Sequence, residues 1–126
     1  MNCLDSSFLI DYFDRSQAVE AFLNEHADAP FGAATVTFHE VLFGQGKHAG
    51  VPVQEVAAKL DWVEPLPFTH GAALRAAEIR RTLEGQGDPI GIQNALIGAT
   101  ALEHGATVIT RDDDFERVPG LGVERY

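Results

Sequence analysis

Cysteine and long hydrophobic runs are scarce in this chain. The single cysteine, Cys3, cannot form an internal disulfide, and its apolar neighbours favour a buried side chain over a reactive thiol. No apolar run approaches the roughly 20 residues that cross a bilayer, and the N-terminus lacks the basic flank of a secretory signal. These absences argue against a disulfide-stapled or membrane-spanning protein, and we expect a cytoplasmic one.

Positive charge is also scarce. Lysine and arginine number 9 against 19 acidic residues, which gives a formal net charge of -10, and the only lysines are Lys47 and Lys59. A broad basic face for nucleic acid is disfavoured, because phosphate neutralisation needs clustered Lys and Arg. Either the acids form a solubilising coat, or some of them converge on a cation.

The pattern of apolar segments indicates one α/β domain over residues 1–126, with 45% hydrophobic residues to form its core. Short apolar strands are predicted at "MNCL", "FGAA", "WVEPLPF", "ATVIT" and "GVERY", and helices lie between them. Strands of this kind favour a parallel sheet that is covered on both faces. The prolines in "WVEPLPF" predict that this strand is short or lies at an edge.

Polar residues ahead of apolar stripes predict where the helices begin. Ser16 is the predicted N-cap of "SQAVEAFLNEH". Thr37 and Glu40 have the spacing of a capping box that would open the helix "FHEVLFGQGK". Thr69 is the predicted cap of a long helix that ends near Glu84.

Acidic residues follow the predicted strands at the end where parallel α/β sheets bind ligands. Asp5 ends the first strand, Asp112 follows "ATVIT", and Glu40 lies one turn into the helix after "FGAA". Converging carboxylates repel one another, and a hard cation such as Mg²⁺ or Mn²⁺ offsets that repulsion. Each acid also has a simpler interpretation, as a helix cap, a capping-box residue or part of a solvated loop. Their joint placement favours a metal site.

Four segments, in order along nearly the whole chain, resemble the motifs of PIN-domain ribonucleases of the VapC toxin type. "LDSSFLIDYF" resembles the opening strand with its acid and hydroxyls, and "EVLFG" resembles the E-x-x-x-G signature. "PIGIQNALIGATAL" resembles the helix written as an acid before x-L-I-A-A, and "ITRDDDFERVPGL" resembles the T-x-D-x-D-F motif. The resemblance implies a three-layer α/β/α fold around a central parallel sheet of four to five short strands.

The same resemblance implies an RNA-cutting enzyme that requires Mg²⁺ or Mn²⁺. Asp5, Glu40 and Asp112 match its acidic metal-binding positions, and Asp114 matches an accessory acid. Ser7 matches a hydroxyl that lines the pocket, although it also reads as an ordinary first-turn serine. The cations would stabilise the attacking and leaving oxygens of an in-line displacement at a phosphodiester.

Asn94, within "GIQNALIGATAL", departs from the family pattern, because the family has an aspartate there. Burying an unpaired amide costs about 1–3 kcal/mol, so we expect Asn94 to face the acidic cleft. Its amide oxygen can bind a hard cation but brings no charge, which predicts weaker metal binding and activity. An engineered inactivation, natural attenuation and a misassigned motif remain open. Asp88, in a Gly-Pro loop, is interpreted as a turn residue.

Partners follow from the family and from charge. The resemblance implies an antitoxin that blocks the site with an arginine-bearing segment, and it implies a homodimer. RNA would approach through metal ions and local arginines such as Arg111, which otherwise read as surface charges. The main alternative is a PIN-like module that binds RNA or antitoxin without cleaving. Receiver domains and D-x-D phosphatases fit less well, because serines follow Asp5.

Overall fold

A computed structural model describes residues 1–126, in which strands alternate with helices. The strands are β1 (Asn2–Leu4), β2 (Phe31–Ala34), β3 (Glu64–Leu66), β4 (Thr107–Thr110) and β5 (Val123–Arg125). The helices are α1 (Ser6–Phe13), α2 (Gln17–Glu25), α3 (Thr35–Gly44), α4 (Val53–Ala58), α5 (His70–Gly85) and α6 (Ile92–Glu103), and a 3₁₀ helix spans Asp113–Arg117. None of the helices combines the length and apolar character needed to cross a bilayer.

The five strands form one sheet in the order β3-β2-β1-β4-β5, and every neighbouring pair is parallel. The predicted parallel sheet with flanking helices is therefore confirmed. Strand β3 lies at one edge, as its prolines predicted, because Pro65 has no N–H to donate to a second neighbour. The parallel arrangement brings the carboxyl ends of all five strands to one edge of the sheet.

The two faces of the sheet bury alternate residues of the central strands. Leu4 and Ile109 pack into a cluster with apolar residues of α1, α2 and α3. Cys3 and Val108 pack into a second cluster on the opposite face, which includes Ile97 of α6. Cys3 is fully buried, and this burial raises the pKa of its thiol to about 12. The cysteine is an inert core residue, as predicted.

Two of the predicted helix caps lie where the sequence indicated. The Thr69 hydroxyl accepts a 3.1 Å hydrogen bond from the Ala72 N–H and caps α5, which confirms that prediction. Ser16 immediately precedes α2, but its side chain makes no capping hydrogen bond. The position of the second cap was therefore right, and the role of its hydroxyl was wrong.

The predicted capping box of Thr37 and Glu40 was wrong. Helix α3 begins at Thr35, directly after β2, so Ala34 is the N-cap and Thr37 already lies inside the helix. The Thr37 side chain is fully buried, and its hydroxyl has no hydrogen-bond partner. Because the helix starts three residues earlier than predicted, Glu40 is free of a capping role.

Candidate active site

Asp5 lies at the carboxyl end of β1 and is almost completely buried, with 3% of its surface exposed. Its Oδ1 accepts a 2.9 Å hydrogen bond from the Phe8 N–H, so it caps α1. The Ser7 hydroxyl lies 2.8 and 2.9 Å from the two carboxylate oxygens. Asp5 is therefore a helix cap, and its remaining contacts exceed what a cap requires.

Burial raises the pKa of the Asp5 carboxyl, because desolvation disfavours the charged form. The negative charge of Asp112 raises this pKa further, while the hydrogen bonds from Thr110, Phe8 and Ser7 oppose the shift. A buried carboxyl with a raised pKa beside a second acid is a common feature of functional sites. Asp5 and Asp112 therefore lie close enough for their charges to interact.

Thr110 connects Asp5 to the turn that carries Asp112. Its fully buried hydroxyl donates a 2.5 Å hydrogen bond to Asp5 Oδ2 and accepts a 2.9 Å bond from the Asp112 N–H. A hydroxyl both donates and accepts, so one side chain satisfies both groups. The sequence indicated no such role, although Thr110 ends the clearest predicted strand and directly precedes the acidic run.

Asn94 joins two of the acids. Its Nδ2 donates to Asp112 Oδ2 at 3.0 Å and to Asp114 Oδ2 at 3.2 Å. Ionised carboxylates only accept hydrogen bonds, so the amide must present its N–H groups to them. The amide at position 94 faces the acidic cluster, and its nitrogen lies between two carboxylates, where a positive charge would be favourable.

Arg117 supports the same cluster from the 3₁₀ helix. Its Nη2 donates to Asp114 Oδ1 at 3.1 Å and to the Pro89 carbonyl oxygen at 2.9 Å. Its Nε lies 3.3 Å from a carboxylate oxygen of Asp88. Asp88, in the loop before α6, therefore pairs with Arg117 and is not bonded to Asn94. The sequence offered no signal for Arg117 beyond its spacing three residues after Asp114.

Glu40 stands apart from the other predicted site residues. Its Oε1 accepts a 2.7 Å hydrogen bond from Ser6, the residue that follows Asp5 in the chain. An open depression of about 670 Å³ lies beside the cluster and does not include Glu40. Its lining comprises Ser7, Arg111, Asp112, Asp113, Asp114 and Arg117. Hydrogen bonds thus link Asp5, Asn94, Asp112 and Asp114, whereas Glu40 joins only through Ser6.

The chemistry of these side chains fits a hard cation. No three His, Cys, Asp or Glu side chains are arranged as a metal site as they stand. The donors at the cluster are nevertheless carboxylate and amide oxygens, which Mg²⁺ and Mn²⁺ prefer. The Asn94 nitrogen, between Asp112 and Asp114, lies where a cation would meet both carboxylates. A turn of the amide would present its oxygen instead.

We compared the chain with models of known protein families to identify the class of protein that has this fold and acidic cluster. The family model described as "PIN domain" matches residues 3–121, which is almost the whole chain. The resemblance inferred from the four motifs is thereby confirmed.

Two curated relatives narrow the class. The chain is 30% identical over 97 residues to the tRNA(fMet)-specific endonuclease VapC of Shigella flexneri, and this match covers 74% of the chain and 73% of that protein. It is 28% identical over 97 residues to the protein of the same name from Salmonella typhimurium, with the same coverage. The chain belongs to the PIN-domain family and, within it, to the VapC-type ribonuclease toxins.

A solved structure agrees in fold and context. The chain is 25% identical in sequence to a protein in a toxin-antitoxin complex from Klebsiella pneumoniae, with a TM-score of 0.78. This match covers 96% of the chain and 95% of that protein. The similarity extends over the whole α/β/α fold.

Proposed function

We propose that this chain, as a single PIN-like domain over residues 1–126, is a ribonuclease that depends on a divalent cation and is attenuated by Asn94. The proposed cation ligands are Asp5, Asn94, Asp112 and Asp114, with Mg²⁺ or Mn²⁺ as the ion. The observation that carries the proposal is the pair of hydrogen bonds from the Asn94 amide to Asp112 and Asp114. They join the one departure from the family pattern directly to the predicted acids.

The roles proposed for the side chains follow from their contacts. Asp5, Asp112 and Asp114 would hold the cation through carboxylate oxygens, and Asn94 would do so through its amide oxygen. When bound, the cation supplies positive charge that stabilises the charge developing on the phosphodiester. Thr110 and Ser7 keep the Asp5 carboxylate oriented through their hydroxyls.

Glu40 has a separate role in the proposal. It lies on α3, hydrogen-bonded to Ser6 of α1, and it brings a fourth carboxylate toward the same edge of the sheet. We assign it to the catalytic set as the acid of the E-x-x-x-G motif. Its contact with the reacting groups would require substrate or a cation to draw it away from Ser6.

The test of the site is the substitution Asn94→Asp. Two unit charges about 4 Å apart interact by about 4 kcal/mol at an effective dielectric near 20, and desolvation and acid–acid repulsion remove much of this gain. We expect tighter Mn²⁺ binding by calorimetry and faster cleavage of single-stranded RNA. Cleavage should disappear with a chelator, and Asp5→Asn in the Asn94→Asp background should remove both gains. Unchanged affinity and cleavage in Asn94→Asp would exclude Asn94 as the vacated ligand position.

The proposed partners are RNA, a cognate antitoxin and a second copy of the chain. The relatives from Salmonella typhimurium and Shigella flexneri are named tRNA(fMet)-specific endonucleases, which supports RNA as the substrate. The toxin-antitoxin complex from Klebsiella pneumoniae supports an antitoxin partner. An arginine of that partner suits the acidic cluster by bidentate pairing. Co-expression with the neighbouring reading frame should yield a complex near physiological salt, and its absence would count against a toxin role.

A non-cleaving binding module is the second candidate, and the neutral amide at position 94 is the observation that favours it. The two functions differ in their response to metal. A cleaving enzyme should degrade RNA in proportion to bound Mn²⁺, whereas a binding module should retain RNA intact at every Mn²⁺ concentration. A titration of the unmodified chain with Mn²⁺ separates them.

A further inference from the structure

Three arginines cluster around the turn that carries the acids at the end of β4. Arg111 and Arg117 line the open depression beside the site, and Arg125 of β5 packs against the same turn. RNA carries one negative charge per nucleotide, and this chain has a net charge of -10. A phosphate group should therefore bind best at an exposed arginine that is not already paired with several carboxylates.

Arg125 has no nitrogen free. Its Nε donates to Glu116 at 3.1 Å, its Nη1 donates to the Arg111 carbonyl oxygen at 3.1 Å, and its Nη2 pairs with Asp113. Each guanidinium nitrogen therefore has a partner in residues 111–116. Arg125 therefore stabilises the conformation of this segment.

Arg117 pairs with two carboxylates and is 32% exposed. Its Nη2 is shared between Asp114 and the Pro89 carbonyl oxygen, and its Nε lies 3.3 Å from Asp88. Two carboxylates thus neutralise its charge, and one of them is a proposed cation ligand. Its function is to hold Asp114.

Arg111 differs from both because it pairs with a single carboxylate and its side chain is the most exposed of the three, at 59% against 32% for Arg117 and 45% for Arg125. Its Nε and Nη2 lie 2.8 and 3.3 Å from the two oxygens of Asp11, and its Nη1 has no partner. A guanidinium has five N–H groups, so three of them remain available after this bidentate pair. The side chain is 59% exposed and borders the depression beside Asp112.

Asp11 is itself held by Tyr126. The Tyr126 hydroxyl lies 2.7 Å from Asp11 Oδ2 and 3.5 Å from the Ser7 hydroxyl, and its ring packs edge to face against Phe8. Burial, the leading cause, raises the pKa of Tyr126 to about 12. The phenol therefore stays protonated and donates a hydrogen bond to Asp11. The Asp11 carboxylate thus accepts hydrogen bonds from both Tyr126 and Arg111. These contacts fix the orientation of the Arg111 guanidinium.

The register of β5 explains why this arrangement forms. Arg125 of β5 pairs with Thr110 of β4, so Tyr126 continues past the sheet at the same edge as the site. Helix α1 brings Asp11 to that edge two turns after Asp5. The three side chains therefore come from three segments that the strand register and the position of α1 bring together.

We propose that Arg111 binds a phosphate group of the RNA substrate beside the acidic cluster, with Asp11 and Tyr126 as its positioning residues. This inference rests on the ribonuclease function proposed above. It assigns the contact to Arg111, because Arg117 and Arg125 each pair with two carboxylates and are less exposed.

The experiment compares Arg111→Gln with Arg75→Gln. Arg75 is a matched control, since its Nε lies 2.7 Å from Glu103 and its side chain is 49% exposed, yet it lies on α5 outside the depression. Binding of a fluorescent single-stranded RNA is measured by anisotropy in Ca²⁺ over a series of salt concentrations. We expect Arg111→Gln to weaken binding about tenfold and to reduce the salt slope by roughly 0.7, the value for one contact with a single strand. Arg75→Gln should match the unmodified chain.

Two further variants test positioning. Tyr126→Phe keeps the ring on Phe8 and removes the hydroxyl, so we expect a smaller loss of about threefold. Arg111→Lys should recover part of the salt slope without the bidentate pair. In the Asn94→Asp background, Arg111→Gln should raise KM for RNA cleavage and leave kcat unchanged, whereas a purely structural role would lower stability and kcat.

The results separate this inference from the proposed function. If Arg111→Gln and Arg75→Gln have equal salt slopes while Asn94→Asp cleaves RNA, the phosphate contact is wrong and the nuclease stands. If no variant binds RNA and Asn94→Asp does not cleave it, both are overturned. A selective loss of slope in Arg111→Gln supports the contact.

Discussion

The site has a buried half and an exposed half, and the carboxylates of the two halves have different hydrogen-bond donors. In the buried half, Asp5 accepts hydrogen bonds from the hydroxyls of Ser7 and Thr110 and from a backbone N–H. In the exposed half, Asp112 and Asp114 accept from the Asn94 amide, and Asp114 also pairs with Arg117. Both halves lie at the same edge of one sheet, and only the exposed half contains a positive charge.

This difference shows how burial determines which donors suffice. Neutral hydroxyls do not overcome desolvation at Asp5, whose pKa is raised. The acids of the exposed half retain contact with water, and their mutual repulsion is relieved by an amide and a guanidinium. The buried half should therefore depend on the exact positions of its hydroxyls, and the exposed half should depend on its net charge.

The largest expected effect tests the buried half through Thr110→Val. This change preserves shape and removes the hydroxyl that serves both Asp5 and the Asp112 N–H, so we expect a loss of about 3 kcal/mol of unfolding free energy. Thr100→Val is the control, because Thr100 is equally buried and its hydroxyl bonds only to the Leu96 carbonyl oxygen. Urea unfolding in a chelator measures both. Equal losses would show that the bridging hydroxyl has no special role.

The second prediction tests the exposed half in the absence of metal. Asn94→Asp removes two N–H donors and adds a carboxylate beside Asp112 and Asp114, so we expect a loss of about 2 kcal/mol in a chelator. Gln93→Glu adds the same charge on an exposed part of α6 and should change stability by less than about 0.5 kcal/mol. Mn²⁺ should reverse the loss in Asn94→Asp. If both variants are equally stable in the chelator, the like-charge repulsion at position 94 is absent.

The third prediction uses the raised pKa of Asp5. Its folded state holds a proton at pH values where the unfolded chain has released it, so the charged form weakens the fold. The unfolding free energy of the unmodified chain should therefore fall, relative to Asp5→Asn, as pH rises from the ordinary Asp value of about 3.9. Above the folded pKa the difference should become constant. Urea midpoints in a chelator from acid to neutral pH measure it, and an unmodified chain that gains stability relative to Asp5→Asn as pH rises would contradict the burial argument.

The smallest expected effect concerns Glu40 and its hydroxyl partner. Ser6→Ala removes the 2.7 Å hydrogen bond to Glu40, and water can replace it because Glu40 is half-buried. We expect a loss of about 1 kcal/mol, and almost none for Ser16→Ala, whose hydroxyl makes no cap bond. Thermal unfolding of the two variants measures the difference. A large loss in Ser6→Ala would place Glu40 with the buried half.

The segments that carry strong local patterns were predicted well. Strand β4, the parallel sheet, the edge position of β3 and the Thr69 cap all follow from apolar runs, proline positions and a capping residue. The capping box of Thr37 and Glu40 failed because α3 starts directly from β2 and needs no separate cap. A local spacing rule cannot detect that the last residue of a strand, Ala34, is also the N-cap of the next helix.

By itself, the sequence determined the order of strands and helices, the family and the acids that follow the strands, because these depend on neighbours along the chain. Tertiary structure decided the rest of the site. Thr110 meets Asp5 across 105 positions of sequence, and Tyr126 meets Asp11 across 115. Such contacts depend on strand register and on the packing of α1 against the sheet. Only the folded chain brings these side chains within hydrogen-bonding distance.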